Sequence, residues 1–286
     1  MLQQMKKIGI AFGGGGARGL AHISMIEAFE ELGLRPSIIS GTSIGAIIGA
    51  FYAAGFSSKE MKAMLKRLLF PRNDKPFDFL WKSDFVKMFS MFDPQFFNSG
   101  LMKGERFYKF LETELGACTF EDLNIPLKIV ATDYWKKEEV IFEHGQLLPA
   151  IRASYSLPGL LTPVKIKNRI LIDGGVVNPI PYDILLNDCH ITIAVDITGY
   201  RTSNGKEYPP TFESVFTTYQ IMQNSINQQK MKFIKPDIYI KPEIYDVRVF
   251  DFSKHESIFK QTETAKENLK RKLEELLTSE QATAII

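Results

Sequence analysis

A chain of 286 residues, 45% of them hydrophobic, is long enough for one large domain with a substantial core. Its 35 lysines and arginines nearly balance 33 aspartates and glutamates, which leaves no global basic footprint and no expectation of a nucleic-acid partner. Cys118 and Cys189 share no spacing motif, so neither a disulfide framework nor a metal site is expected; both read as small buried apolar residues in a reducing compartment.

The N-terminal residues carry charge suited to a signal peptide, but the apolar run at 8–12 is too short for one, and no export is expected. Residues 7–12 read as a strand that enters Gly13-Gly14-Gly15-Gly16-Ala17-Arg18-Gly19, and 20–32 has helical periodicity closed by Gly33. Three chemistries use a strand, a glycine loop and a helix. A P-loop is excluded because no Gly-Lys-Ser/Thr closes the loop, and the dinucleotide spacing Gly14-x-Gly16-x-x-Gly19 lacks its acidic partner, since 34–42 holds no Asp or Glu. The third is an oxyanion hole, in which backbone N–H groups face the oxygen that gains charge in acyl transfer. Arg18 either adds positive potential there or pins the loop.

Next, 37–40 is a short apolar strand and 44–54 a helix rich in small residues, joined by Gly41-Thr42-Ser43-Ile44-Gly45. A strand turning into a helix through G-x-S-x-G is a nucleophile elbow with the serine at its apex, which makes Ser43 the candidate nucleophile. The alternative is that Gly41 and Gly45 serve helix entry and packing. The apolar run 44–56 is well short of the roughly 20 residues that span a bilayer.

An amphipathic helix is expected at 57–70, capped by Ser57 or Ser58. Residues 70–97 are then crowded with Phe and Met, and Phe85, Met88, Phe89 and Phe92 recur at helical spacing. This stretch is either a helix packed on the core or an apolar lid meeting lipid, which would give peripheral membrane contact through 77–97. A helix at 99–116 follows, then strands at 126–133 and 139–142, a helix at 147–154 and a hairpin of 162–166 with 169–172, whose second strand delivers Asp173-Gly174-Gly175. One more core strand is expected at 191–197. Helices alternating with such strands predict a three-layer α/β sandwich with a largely parallel central sheet and helices on both faces. The polar loop 201–210 is the best internal boundary, dividing a domain of residues 1–199 from a C-terminal extension of 200–286 packed on it. That extension holds helices at 212–232 and 254–277, strands at 237–241 and 247–252, and nine terminal residues expected to fray.

A serine hydroxyl needs a base within reach and preorganised donors for the oxyanion. None of His22, His144, His190 or His255 is placed persuasively for a triad. A carboxylate held close can take the proton instead, and Asp173 ends a strand just before two glycines that let the backbone approach the elbow. Asp133 and Asp196 also end strands and are its rivals.

The ordered motifs G-G-G-G-A-R-G at 13–19, G-T-S-I-G at 41–45 and D-G-G at 173–175 resemble those of the bacterial patatin-like phospholipase family, over about residues 8–197. The resemblance implies a lipid acyl hydrolase with a Ser-Asp dyad, needing no metal or organic cofactor. Ser43 would attack an ester carbonyl of a lipid or other acyl ester, Asp173 would act as base and then acid, and amides at Gly14, Gly15 and Gly16 would bind the oxyanion beside Arg18. Many members read D-G-A where this chain reads D-G-G, a departure between two small residues. A cytoplasmic protein, peripheral at the inner membrane surface, is expected. The alternative is a non-catalytic acyl-lipid-binding or regulatory protein on the same fold.

Overall fold

Alternate residues of three adjacent strands enter different cores in the computed structural model, which describes residues 6–69, 104–202, 208 and 211–283. In β1 (Ile8–Phe12), Ile10 and Phe12 face one core while Ala11 faces the other; Ile39 and Ile38 divide likewise in β2 (Ile38–Thr42), as do Ile193 and Ala194 in β7 (Ile191–Val195). A strand buried on both faces needs a cover on each, and these three are mostly apolar, with the buried hydroxyls of Ser40 and Thr192 bonded to the Pro181 carbonyl and Asp237. The other strands are β3 (Leu127–Asp133), β4 (Glu138–Phe142), β5 (Val164–Ile166), β6 (Arg169–Asp173) and β8 (Ile238–Ile240).

The eight-stranded sheet has the order β5-β6-β3-β2-β1-β7-β8, with β4 paired to β3. Its run from β8 through β7, β1 and β2 to β3 is parallel, whereas β4, β6 and β5 join antiparallel. The helices are α1 (Ala21–Glu31), α2 (Ile44–Ala53), α3 (Ser58–Leu69), α4 (Glu105–Leu115), α5 (Leu147–Tyr155), α6 (Thr211–Phe233) and α7 (His255–Thr283). The result is a three-layer α/β arrangement around a mostly parallel sheet, as the alternation of elements predicts. Among the described residues no helix is long and apolar enough to cross a membrane.

Several expectations change. The stretch 247–252 is not a strand; the Val249 carbonyl accepts the Ala17 amide at 2.7 Å, and the chain then turns at Arg248–Asp251. Backbone groups spent on holding the glycine loop are not available to a sheet ladder. The C-terminal helix continues to Thr283, past the expected end at 277. Cys118 and Cys189 are half-buried. The aromatic stretch 77–97 lies outside the described residues, as do 99–103 of the expected fourth helix and most of the loop 201–210. Beyond residue 200, β8 extends the same sheet and Leu269 and Leu273 of α7 enter the main core.

Candidate active site

Ser43 turns the chain from β2 into α2 with φ 55° and ψ −121°. An L-residue holds a positive φ only where its surroundings impose it. Here they do so by close approach: a Cβ on Gly45 would lie 2.1 Å from the Phe12 carbonyl oxygen, and one on Gly41 would lie 2.5 Å from the Gly45 carbonyl oxygen. The Ser43 amide donates to Ser154 Oγ on α5 at 2.8 Å, and its carbonyl accepts the Ala46 and Ile47 amides. The backbone is thereby fixed from three sides while the side chain lines a cavity.

Register brings Asp173 to the same level. Thr42 of β2 pairs with Val130 of β3, and the next β3 residue, Ala131, pairs with Asp173 of β6. Ser43 and Asp173 line one cavity, near enough for the serine hydroxyl to favour the charged carboxylate. Asp173 Oδ1 accepts the Gly175 amide at 2.7 Å and the Tyr219 hydroxyl, from α6, at 3.2 Å. Burial pushes the Asp173 carboxyl up to about 6, against these two hydrogen bonds and the nearby Ser43 hydroxyl, each of which favours the charged form.

The glycine loop supplies donors, and not all of its amides are free. Gly13 donates to the Val195 carbonyl at 3.1 Å, Gly14 to the Pro179 carbonyl at 2.9 Å and Ala17 to the Val249 carbonyl at 2.7 Å. This corrects the expectation for Gly14, whose amide is occupied; its α-carbon instead stands against Ser43, where an added Cβ would meet Ser43 Cβ at 3.4 Å. The Gly15 and Gly16 amides have no acceptor among the described residues, and both residues line the cavity with Ser43 and Asp173. Arg18 is buried and does not line it. Arg18 Nε donates to the Gly15 carbonyl at 3.4 Å, so of its two possible roles the geometry is that of a loop pin.

His22 supports the same loop from behind. Its Nε2 donates to the Gly13 carbonyl at 2.8 Å, the ring stands 4.8 Å from that of Phe12, and burial lowers its pKa to about 4, so it is neutral. His190 Nδ1 accepts the Lys7 amide, His144 stands exposed beside Glu121 and His255 packs against Phe259; no histidine lines the cavity. The rival carboxylates are structural. Asp133 accepts the Trp135 and Lys136 amides at a strand end, and Asp196 accepts Thr198, Tyr239 and Lys241.

From the dyad the cavity runs between helices over Ile47, Ile48, Leu65, Phe107, Leu111 and Phe250. Such walls suit a hydrocarbon chain whose reacting end reaches Ser43. Sequence reading missed Ser154, which orients the elbow, and Tyr219 and Gln223, which touch the turn at 173–175. A signal for the last two exists: Tyr219, Gln223, Asn227 and Lys230 recur at helical spacing on α6, and Gln223 and Asn227 are buried. An inward polar stripe looks like a solvated face when read without its partner.

Two buried groups titrate in opposite directions across one pH window. Asp173 has its pKa raised from 3.8 to about 6, so its contribution to stability is present below 3.8 and lost as pH rises through 6. His22 has its pKa lowered from 6.5 to about 4, so its contribution is present above 6.5 and lost as pH falls through 4. Each is worth about 1–3 kcal/mol, and in the parent they offset one another. Urea denaturation from pH 4 to 6.5 is therefore expected to show stability rising more steeply with pH in Asp173→Asn than in the parent, and less steeply in His22→Gln. Identical slopes in all three would contradict the burial of both groups.

A model of the patatin-like phospholipase family matches residues 10–186. An uncharacterized NTE family protein of Mycobacterium tuberculosis is 29% identical over 223 residues, which are 77% of this chain and 57% of that one. Lysophospholipase NTE1 of Saccharomyces cerevisiae is 26% identical over 275 residues, 88% of this chain and 16% of the yeast protein. The chain thus spans little more than half of the first relative and a small part of the second. The crystal structure of VipD from Legionella pneumophila shares the fold, with a TM-score of 0.55 at 13% identity over 93% of this chain and 67% of that one.

Proposed function

The chain belongs to the patatin-like phospholipase family, and from that premise we propose that it hydrolyses carboxylic esters of lipids, as a phospholipase A, lysophospholipase or esterase, through an acyl-enzyme on Ser43. The observation that carries the reading is that Ser43 and the buried Asp173 carboxyl line one apolar cavity together with Gly15 and Gly16. As Ser43 Oγ bonds to the ester carbonyl carbon, its proton passes to Asp173. The carbonyl oxygen becomes an oxyanion and is met by the Gly15 and Gly16 amides. Collapse breaks the ester C–O bond, and the leaving alkoxide takes the proton from Asp173. Water then repeats the sequence on the acyl-serine, losing a proton to Asp173 as it attacks; Ser43 recovers that proton as the carboxylic acid departs.

In this reading residues 1–199 are the catalytic domain and 200–286 an extension packed on it, whose helix α6 forms part of the cavity wall through Phe216, Tyr219 and Gln223. The protein works in the cytoplasm, with its ester drawn from the inner membrane surface.

Labelling by a fluorophosphonate, with the modified peptide identified, and hydrolysis of esters of graded acyl length test the reading together. Label on Ser43 is expected, with kcat/KM rising from short to long acyl chains as the apolar walls fill, by about a factor of three to four per buried methylene. Binding of long-chain acyl ligands without label or turnover would instead make this an acyl-lipid-binding protein on the same fold.

A further inference from the structure

The α6 helix lies outside the stretch that the family model matches, which ends at residue 186. It nevertheless reaches the turn that carries Asp173. Tyr219 donates to Asp173 Oδ1 at 3.2 Å and, one helical turn on, Gln223 Nε2 donates to the Gly175 carbonyl at 3.2 Å. Two turns further on, Lys230 Nζ donates to the Ile180 carbonyl and Asp183 Oδ1, each at 2.6 Å, and to Asn178 Oδ1. The inner face of α6 is therefore tied at two points to one segment, 173–183. That segment is continuous with the elbow and the glycine loop, since Thr42 Oγ1 donates to the Asn178 carbonyl and the Gly14 amide to the Pro179 carbonyl.

The second glycine of D-G-G is shaped for this contact. A Cβ on Gly175 would lie 2.1 Å from Gln223 Nε2, 2.9 Å from Asp173 Oδ1 and 3.0 Å from the Tyr219 hydroxyl. No unusual φ is needed there, so the requirement for glycine is space, and α6 fills that space. We propose that Tyr219 and Gln223 form a clasp on the Asp173–Gly175 turn, and that Tyr219 is a positioning residue which holds Asp173 oriented and ionised to receive the Ser43 proton. The catalytic part of this rests on the hydrolase reading above; the clasp itself does not.

The physical logic is a balance at one carboxylate. Burial disfavours its charge, and the groups facing it are uncharged donors from three places: the Ser43 hydroxyl at the head of α2, the Gly175 amide and the Tyr219 phenol of α6. With no cation among these, each donor carries a large share of what keeps the base ionised at neutral pH. The Tyr219 phenol cannot itself become the charged partner, because burial and the adjacent carboxylate both raise its pKa well above the ordinary value.

Tyr219→Phe removes the donor and keeps the ring. With side-chain carboxyls labelled by carbon-13, the Asp173 resonance, identified by its loss in Asp173→Asn, is expected to titrate about one pH unit higher in Tyr219→Phe than in the parent. The acid limb of kcat/KM moves upward by the same amount, while KM above that limb stays within about twofold. Gln223→Ala removes the donor to the Gly175 carbonyl without pressing any group on Asp173 Oδ1, so the turn survives and the clasp opens. It is expected to move the titration in the same direction, and adding Tyr219→Phe to it moves the titration no further. Unchanged Asp173 titration in Tyr219→Phe overturns the proposal, as does full additivity in the double variant. A parent that hydrolyses no ester but shows these shifts would retain the clasp and dismiss the hydrolase.

Discussion

Replacement of Asp173 by Asn is expected to lower kcat for ester hydrolysis by about 10,000-fold, and Ser43→Ala by at least as much, with both proteins folded. Ser43 and Asp173 line the cavity together, and no histidine lines it, so no second base stands ready to take the proton. Asn keeps the shape of the side chain and can still accept from Gly175, yet it cannot take up the Ser43 proton. The two residues act as one unit, so the double variant is expected to be no slower than the worse single one. Fluorophosphonate labelling reports the same loss without a substrate: Ser43→Ala has no hydroxyl to label, and Asp173→Asn labels far more slowly than the parent. Stopped assays with a long-chain ester, at enzyme concentrations high enough to register a 10,000-fold loss, measure both rates. Near-parental turnover in Asp173→Asn, with a folded but dead His255→Ala, would replace the dyad by a triad.

The parts of this arrangement that are legible in the sequence are those whose cause is local. The elbow at Gly41 to Gly45 and the first glycine after Asp173 announce themselves because glycine at Gly41, Gly45 and Gly174 is demanded by backbone atoms a few ångströms away, whereas Gly175 is kept small by side chains. The same logic predicted too much of Gly14, since nothing in a run of four glycines tells which amides point to the substrate and which to a carbonyl; Pro179, 165 positions along, decides that. The stretch 247–252 reads as a strand from its valine and phenylalanine content, whereas its carbonyls serve the loop after β1. Tyr219 and Gln223 are the least legible. They lie on a helix of mixed polarity, their partner is a turn 46 and 48 residues away, and a buried polar stripe has the periodicity of an exposed one. What a local pattern conveys is the backbone geometry of a site; which side chains from elsewhere come to hold it depends on tertiary contacts.

Gly16→Ala is the second large effect, a fall in kcat of about 100- to 1,000-fold with little change in KM. Gly16 has φ +62°, and a Cβ there would lie 2.2 Å from the Val249 carbonyl oxygen and 2.9 Å from its carbon. The obstacle is backbone, and the same carbonyl receives the Ala17 amide at 2.7 Å, so it cannot withdraw without releasing the loop. Either the loop or its anchor must move, and the amides of Gly15 and Gly16 move with it. A donor displaced by a fraction of an ångström still tolerates a neutral ester carbonyl, which it binds weakly. It fails the oxyanion, where the interaction is strong and steep in distance, so the loss falls on kcat. Lower stability alone could mimic inactivity, and Gly33→Ala separates the two. Gly33 has φ +65° with nothing within 4 Å of an added Cβ, on the loop after α1 away from the cavity, so its alanine variant carries the conformational cost of about 1–2 kcal/mol and no displacement. Thermal unfolding is expected to show both variants destabilised, with Gly16→Ala the more so, while only Gly16→Ala loses turnover when each is assayed well below its Tm. Parental kcat in a folded Gly16→Ala protein would remove this loop from the reaction and require another source of donors for the oxyanion.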